Sequence, residues 1–345
     1  QALHRSGWGG LASNRSPEET GQLGDMTRVI SAPSLLIGLG AGLTSALLFA
    51  ALVGGSMFAL PLFLVAPLPL AIAALGWGTP VGLIAAGTAV VAVAIGIGWP
   101  AAVALGLADA LPILVGTHLL GLARAADPAD PAAREWYPIG RVATALAVAV
   151  ILVTIAGGLA IGFDLEETTA QVVESYRALM LRGGVAPAQM PDTAQLEPFV
   201  RGTVALMPAF FPASWLMVVV FDLWAAAKVV AKSGRLARPK EDLAAIELPA
   251  AAGLVFAAAL AAAFLGGTLG LLASVVAGAL FAAHLLVGLG IVHTLARRTQ
   301  ASIIVLASVY GLVLLFTLPA ALIALAGLLE PHLGLRRRGA SPGPR

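Results

Sequence analysis

The chain has 345 residues, 59% of them hydrophobic and only 11% charged, and its mean hydropathy is +0.94. Soluble domains carry about 25% charged residues, so this composition is that of an integral membrane protein. With no cysteine there are no disulfides, thiolate metal sites or cysteine nucleophiles, and the small net charge of +2 belongs to arginine-rich loops that report membrane orientation before nucleic acid.

Several apolar runs exceed the roughly 18 residues that read as a membrane-spanning helix, and they lack the alternation of outer-membrane strands. The expectation is an all-α, polytopic transmembrane helix bundle of about nine spans. Residues 1–26 read as a disordered or upstream segment, with Met26 just before the hydrophobic pattern. Residues 27–330 form the multi-pass membrane domain, and 331–345 read as a basic disordered tail. In span one, about 34–53, the residues Ser34, Gly38, Gly42, Ala46, Ala50 and Gly54 follow at steps of four. Such a small-xxx-small ridge lets another helix approach closely, although 39 glycines and many alanines make the spacing easier to reach by chance. Span two, about 57–76, contains three prolines, and span three is about 80–98. Span four, about 100–122, carries Asp109 near its centre, with Pro112 and Gly116 on the same face. Span five is about 139–162.

Residues 163–202 are the one sizeable extramembrane insert. Asp164 reads as the cap of an amphipathic helix that stops at Gly183-Gly184, and a loop with a short helix follows. Span six, 203–232, is interrupted by Pro208 and Pro212. On a helix Pro208, Pro212, Trp215, Val219 and Asp222 form one stripe. Proline frees a backbone carbonyl that must find a partner inside the protein, so the stripe is expected to face other helices. The basic loop 228–248 leads to spans seven and eight, about 249–266 and 269–294, the latter with His284 near its centre. Span nine, about 301–328, contains Pro319.

The positive-inside rule puts the N-terminus, the Arg124–Arg141 loop, the 228–248 loop and Arg297-Arg298 in the cytoplasm, with 164–201 outside. Nine spans would leave Arg336, Arg337 and Arg338 on the wrong side, so either the tail carries little weight or one span is miscounted.

No nucleotide-binding loop, zinc-protease motif, nucleophile elbow or calcium loop is present, and no cofactor is implied. The chemistry-bearing residues are those inside the membrane, where ionisable groups are costly. Asp109 and His284 fall at one depth and could pair, bind a polar ligand or pass a proton, or be core residues with local hydrogen bonds. Asp222 falls nearer the cytoplasmic end, where it either pairs with Lys or Arg or contacts a ligand. Trp215 suits an interfacial belt or an apolar pocket wall equally well.

The ridge at 34–54, PLPLAIAALGWG at 67–78, and span six running into SGRLARPKEDLAAIELP at 233–249 together resemble the YybS-like family of bacterial inner-membrane proteins. That family is a domain of unknown function, and the resemblance covers about 27–330. The family pattern carries Asn near Asp222 and Trp where this chain has Lys240, so the acid at 222 is a departure. The resemblance implies a distant similarity to substrate-binding components of energy-coupling-factor transporters and to the rod-shape protein MreD. In the former, a small-xxx-small motif on span one docks a transmembrane coupling subunit, and Gly38, Gly42, Ala46 and Ala50 stand at the matching positions.

The expected function is non-enzymatic: a small-solute-binding transporter component in the bilayer of the bacterial inner membrane, working with a coupling subunit and ATPase or with an ion gradient. Asp109, His284, Trp215 and Asp222 would contact the solute. The alternative is a membrane scaffold that binds cell-envelope proteins, as MreD does. Nucleic acid is not an expected partner.

Overall fold

The computed structural model describes residues 31–338 except 54, 56, 128, 129, 187, 188, 240, 241 and 243–245. The segment 1–26, Gly54 at the end of the ridge, Lys240 and residues 339–345 of the tail lie outside the described residues.

The helices follow local signals. Helix α1 (Ala32–Ala50) starts at Ser31, whose hydroxyl accepts from the Ser34 N–H. The second span is a broken pair, α2 (Ala59–Leu64) and α3 (Leu68–Trp77), with Pro67 at the break. Gly78, at a φ of 93°, turns the chain into α4 (Thr79–Gly96), and Gly98, at 135°, turns it again into α5 (Trp99–Ala104). Each of these two glycines adopts a left-handed backbone and is followed two residues later by the first-turn proline of the next helix. A π-helical turn, Leu105–Ala110, joins α5 to α6 (Leu111–Gly121).

The loop expected at 123–138 is instead an antiparallel hairpin, β1 (Ala123–Asp127) and β2 (Asp130–Trp136), with Arg124 opposite Glu135 and their side chains 2.8 Å apart. Helix α7 (Ile139–Ala160) crosses back. Helix α8 (Leu165–Arg182) has the expected Asp164 cap, accepting from the Glu167 N–H at 2.9 Å, and it ends at Gly183-Gly184. Its buried residues Thr169 and Val173 rest on Val200 and Val204. Those two valines belong to α9 (Thr193–Lys232), 40 residues long. The short helix expected before span six is therefore part of one rod that runs through Pro198, Pro208 and Pro212, and the loop ends at Asp192. The remaining elements are α10 (Ala250–Ala262, continued by a 3-10 turn to Leu265), α11 (Gly267–Ala296), α12 (Ser302–Leu315), α13 (Thr317–Leu333) and α14 (Leu335–Arg338).

Seven helical stretches among the described residues are long and apolar enough to cross a membrane, and α10 is a shorter apolar one. Large side chains such as Leu47, Ile95 and Leu314 stand more than 70% exposed on their outer faces, as lipid contact requires. Helix α11 is the centre of the bundle: 78% of its apolar window is buried, against 22–39% in the other six.

The ninth span differs from expectation. Residues 302–333 bend by 114° at Phe316, and Pro319 stands in the first turn of the new helix, where its missing N–H costs nothing. The pair leaves from and returns to one face, because Arg298, just before α12, donates to the Arg336 carbonyl, just after α13. Arg336 also donates to the Ile246 carbonyl at 3.2 Å and pairs with Glu330 at 3.0 Å. Residues 331–333 and 335–338, expected as part of a disordered tail, are thus helical, with Gly334 turning the chain between them. Among the described residues, the approximate count of nine resolves into seven long helices, one short apolar helix and one bent pair.

This also removes the conflict over the tail. The Arg238 guanidinium donates to the carbonyls of Leu120 and Tyr137, Arg235 lies over the Trp77 ring at 4.7 Å, and Arg297 pairs with Asp242. The hairpin, the 228–248 loop, Arg297-Arg298 and Arg336 therefore share one basic face, and the acidic α8 packs on the far end of α9.

Candidate functional site

The five stripe residues of α9, Pro208, Pro212, Trp215, Val219 and Asp222, are all buried. Their side faces α5–α6 and α11. The contact with α6 begins at a proline on the other helix. Pro112 has no N–H to offer the Ala108 carbonyl one turn back, and the chain loosens there into the π-helical turn. The Trp215 indole N–H fills the gap, donating to the Ala108 carbonyl at 2.7 Å. Phe211 and Phe63 flank the indole with ring centroids 6.1 and 5.8 Å away. Trp215 is thus a core hydrogen-bond donor and not part of an interfacial belt, while its neighbours Phe210 and Phe211 are the exposed aromatics. Replacing Trp215 with Phe keeps an aromatic ring but leaves a buried carbonyl unpaired, with an expected loss of about 1–3 kcal/mol in unfolding stability measured in detergent.

Asp109 sits within that π-helical turn and is 1% exposed; Asp222 is 0% exposed. None of their four carboxyl oxygens has a hydrogen-bond partner. The cationic partner considered for Asp222 is not there, since Lys228 lies instead over the Trp224 ring. A second contact fixes the register, because Gly116 of α6 meets Leu223 of α9 just as Ala108 meets Trp215. The helices therefore run parallel, and Asp222 lies about 9 Å further toward the basic face than Asp109.

His284 is held elsewhere. Its Nδ1 hydrogen-bonds the Leu280 carbonyl of its own helix, and its ring stacks on Phe256 of α10 at 5.2 Å. The structure brings together Asp109, Asp222 and Trp215 and leaves His284 in a separate layer between α10, α11 and α13. No group of three or more metal-ligating acids or histidines occurs among the described residues.

The span-one ridge is occupied from within. Ser34 and Ala50 are half-buried, and Gly38, Gly42 and Ala46 are buried; the two glycines lie against α4. A methyl group on Gly42 would overlap the Ala85 carbonyl and come within 2.6 Å of the Thr88 Cβ. The face expected to receive a coupling subunit is covered by the chain's own fourth helix. Comparable contacts that the spacing argument missed are Gly278 against the Ala209 backbone, Gly140 against Glu247, and Gly288 with Gly327 where α11 crosses α13.

Two concavities stand out, and neither is lined by the acids, Trp215 or His284. One, about 380 Å³, lies at the base of the hairpin beside Arg124, Tyr137 and Arg141. The other, about 400 Å³, is an apolar groove between α1 and α2–α3, ending at Trp77.

These features define a multi-pass, all-α membrane protein whose core contains an isolated pair of acids. Comparison with family models, with curated proteins and with solved structures returned no match.

Proposed function

We propose that this chain is a non-enzymatic transport protein of the bacterial inner membrane that binds a small polar solute or ion, with its basic face in the cytoplasm. The observation that carries this reading is the pair of buried, unpartnered carboxyl groups Asp109 and Asp222, set where the π-helical turn before Pro112 meets the proline-bearing α9. Ionisable groups inside a bundle mark ion and substrate paths, and transporters place them at broken helices near mid-membrane. Trp215 fixes the broken turn that carries Asp109. His284 is assigned to helix packing in this reading. The resemblance to the YybS-like family, and through it to vitamin-transporter components, supports the same class.

Because α4 covers the ridge on α1, an ion gradient is the simpler energy source, and a coupling subunit would have to dock elsewhere. The scaffold reading keeps one specific feature, the outward side of α8, where Tyr176, Leu179 and Leu181 are exposed.

Co-purification from native membrane in mild detergent, followed by thermal-shift screening with small solutes, tests the proposal. A solute that raises the melting temperature of wild type, with the shift lost in Asp109→Asn or Asp222→Asn and kept in His284→Gln, is the expected result. Stable association with cell-wall proteins and no solute response would replace transport by the scaffold.

A further inference from the structure

We infer that Asp109 and Asp222 are two proton-binding stations, each a neutral acid when buried as here, staggered along the seam between α6 and α9 toward the basic face. The inference rests on the transport reading of the same site and names the coupling ion as a proton.

A carboxylate removed from water needs a cation or several hydrogen-bond donors; without them the neutral acid is the form that survives. Here all four oxygens are buried without a donor. Among the described residues, the helices packed on this seam bring no compensating charge to it, and the buried Arg238 at the basic face is bonded to the Leu120 and Tyr137 carbonyls. Helices α3 and α4 have no ionisable side chain, and α7 has only Arg141, in its first turn at the basic face. On α5–α6 the only other titratable group is His118, exposed at the end of α6. On α9 the others are Glu197 and Arg201, at the end that carries α8, and Lys228 and Lys232, at the basic end. The charged groups of α8 lie beyond the membrane core, at that same far end of α9. Helix α11 contributes His284, engaged with Leu280 and Phe256, and His293, engaged with Tyr310.

The stagger adds the second part of the argument. Asp109 and Asp222 stand about 9 Å apart along the axes of two parallel helices, each with its own unpartnered carboxyl group. They are spaced as successive sites. At each, a proton leaves a carboxyl oxygen for water and returns from water to the same oxygen, with no other bond changed. Asp222, next to the Leu223 that packs on Gly116, is the station nearer the basic face.

Infrared difference spectroscopy on the reconstituted full chain, with aspartate carboxyl groups isotope-labelled, tests this directly. Carboxylates in contact with water are ionised at neutral pH and give no acid carbonyl band. The expected result is two label-sensitive acid carbonyl bands at neutral pH. One is lost in Asp109→Asn and the other in Asp222→Asn, and both shift in heavy water and fade as pH rises. Absence of such bands, bands that ignore pH across the stable range, or bands abolished by sodium would each overturn the inference. The labelled wild type alone gives the band count if an Asn variant fails to fold. A protein with both bands but no solute response in the thermal screen would fail the solute reading and keep the proton sites.

Discussion

Alanine at Gly288 or at Gly327 is expected to cost about 3 kcal/mol or more of unfolding stability, measured by thermal or denaturant unfolding in mild detergent. The two glycines face each other where α11, the central helix, crosses α13. A methyl group on Gly288 would come within 2.7 Å of the Ile323 carbonyl carbon, and one on Gly327 within 2.7 Å of the Gly288 nitrogen. Backbone atoms cannot swing aside as a side-chain tip can, so the helices must part. In lipid no hydrophobic drive pulls them back, because the acyl chains are as apolar as the side chains. The double variant is expected to lose less than the two single losses combined, since one separation serves both. Gly87→Ala and Gly311→Ala are the controls. A methyl group at either meets nothing within 4 Å, and alanine's better helix propensity gives a change of about zero to 1 kcal/mol in the stabilising direction. Equal effects at all four positions would show that propensity, not helix contact, sets the stability.

Leucine at Gly42 is expected to be comparably severe, and its consequence separates two roles for span one. If the ridge holds α1 to α4, Gly42→Leu destabilises the isolated chain by about 3 kcal/mol or more. Gly40→Leu, two residues away and with nothing within 4 Å of the added carbon, changes little. If instead α1 detaches to receive a coupling subunit, Gly42→Leu leaves the isolated chain stable and removes only a co-purifying partner. The overlap with Ala85 and Thr88 favours the first outcome. Small-residue spacing shows that a backbone can be approached closely. It does not say by which helix, and here the chain supplies its own.

Much of the architecture was legible in the sequence, because burial in lipid and helix ends are local physics. Long apolar runs located the spans, Asp164 and Gly183 set the ends of α8, and the proline stripe of α9 predicted which side would be buried. The prolines themselves were over-read. Pro208 and Pro212 do not break α9, whose proline side is buried against neighbouring helices, whereas the chain at 302–333 does turn, by 114°, ahead of Pro319. Charge pattern supplied the warning, because the arginines at 336–338 disagreed with nine crossings. Only the contact between Arg298 and Arg336 showed the re-entrant pair that resolves it.

The candidate site divides the same way. The sequence by itself determined that Asp109, Asp222 and His284 would lie within apolar helices, since a side chain cannot leave the depth at which its own backbone holds it. Which of them would meet was decided by tertiary structure alone. Register between α6 and α9 is set by one indole N–H reaching the carbonyl that Pro112 leaves free and by one leucine seated on Gly116. That register sets Asp109 and Asp222 along one seam, while rotation of α11 turns His284 toward Phe256. Depth follows from counting residues along one helix. Facing follows from packing between helices, which in lipid depends on a few small residues and freed backbone groups that look alike in a chain so rich in alanine and glycine.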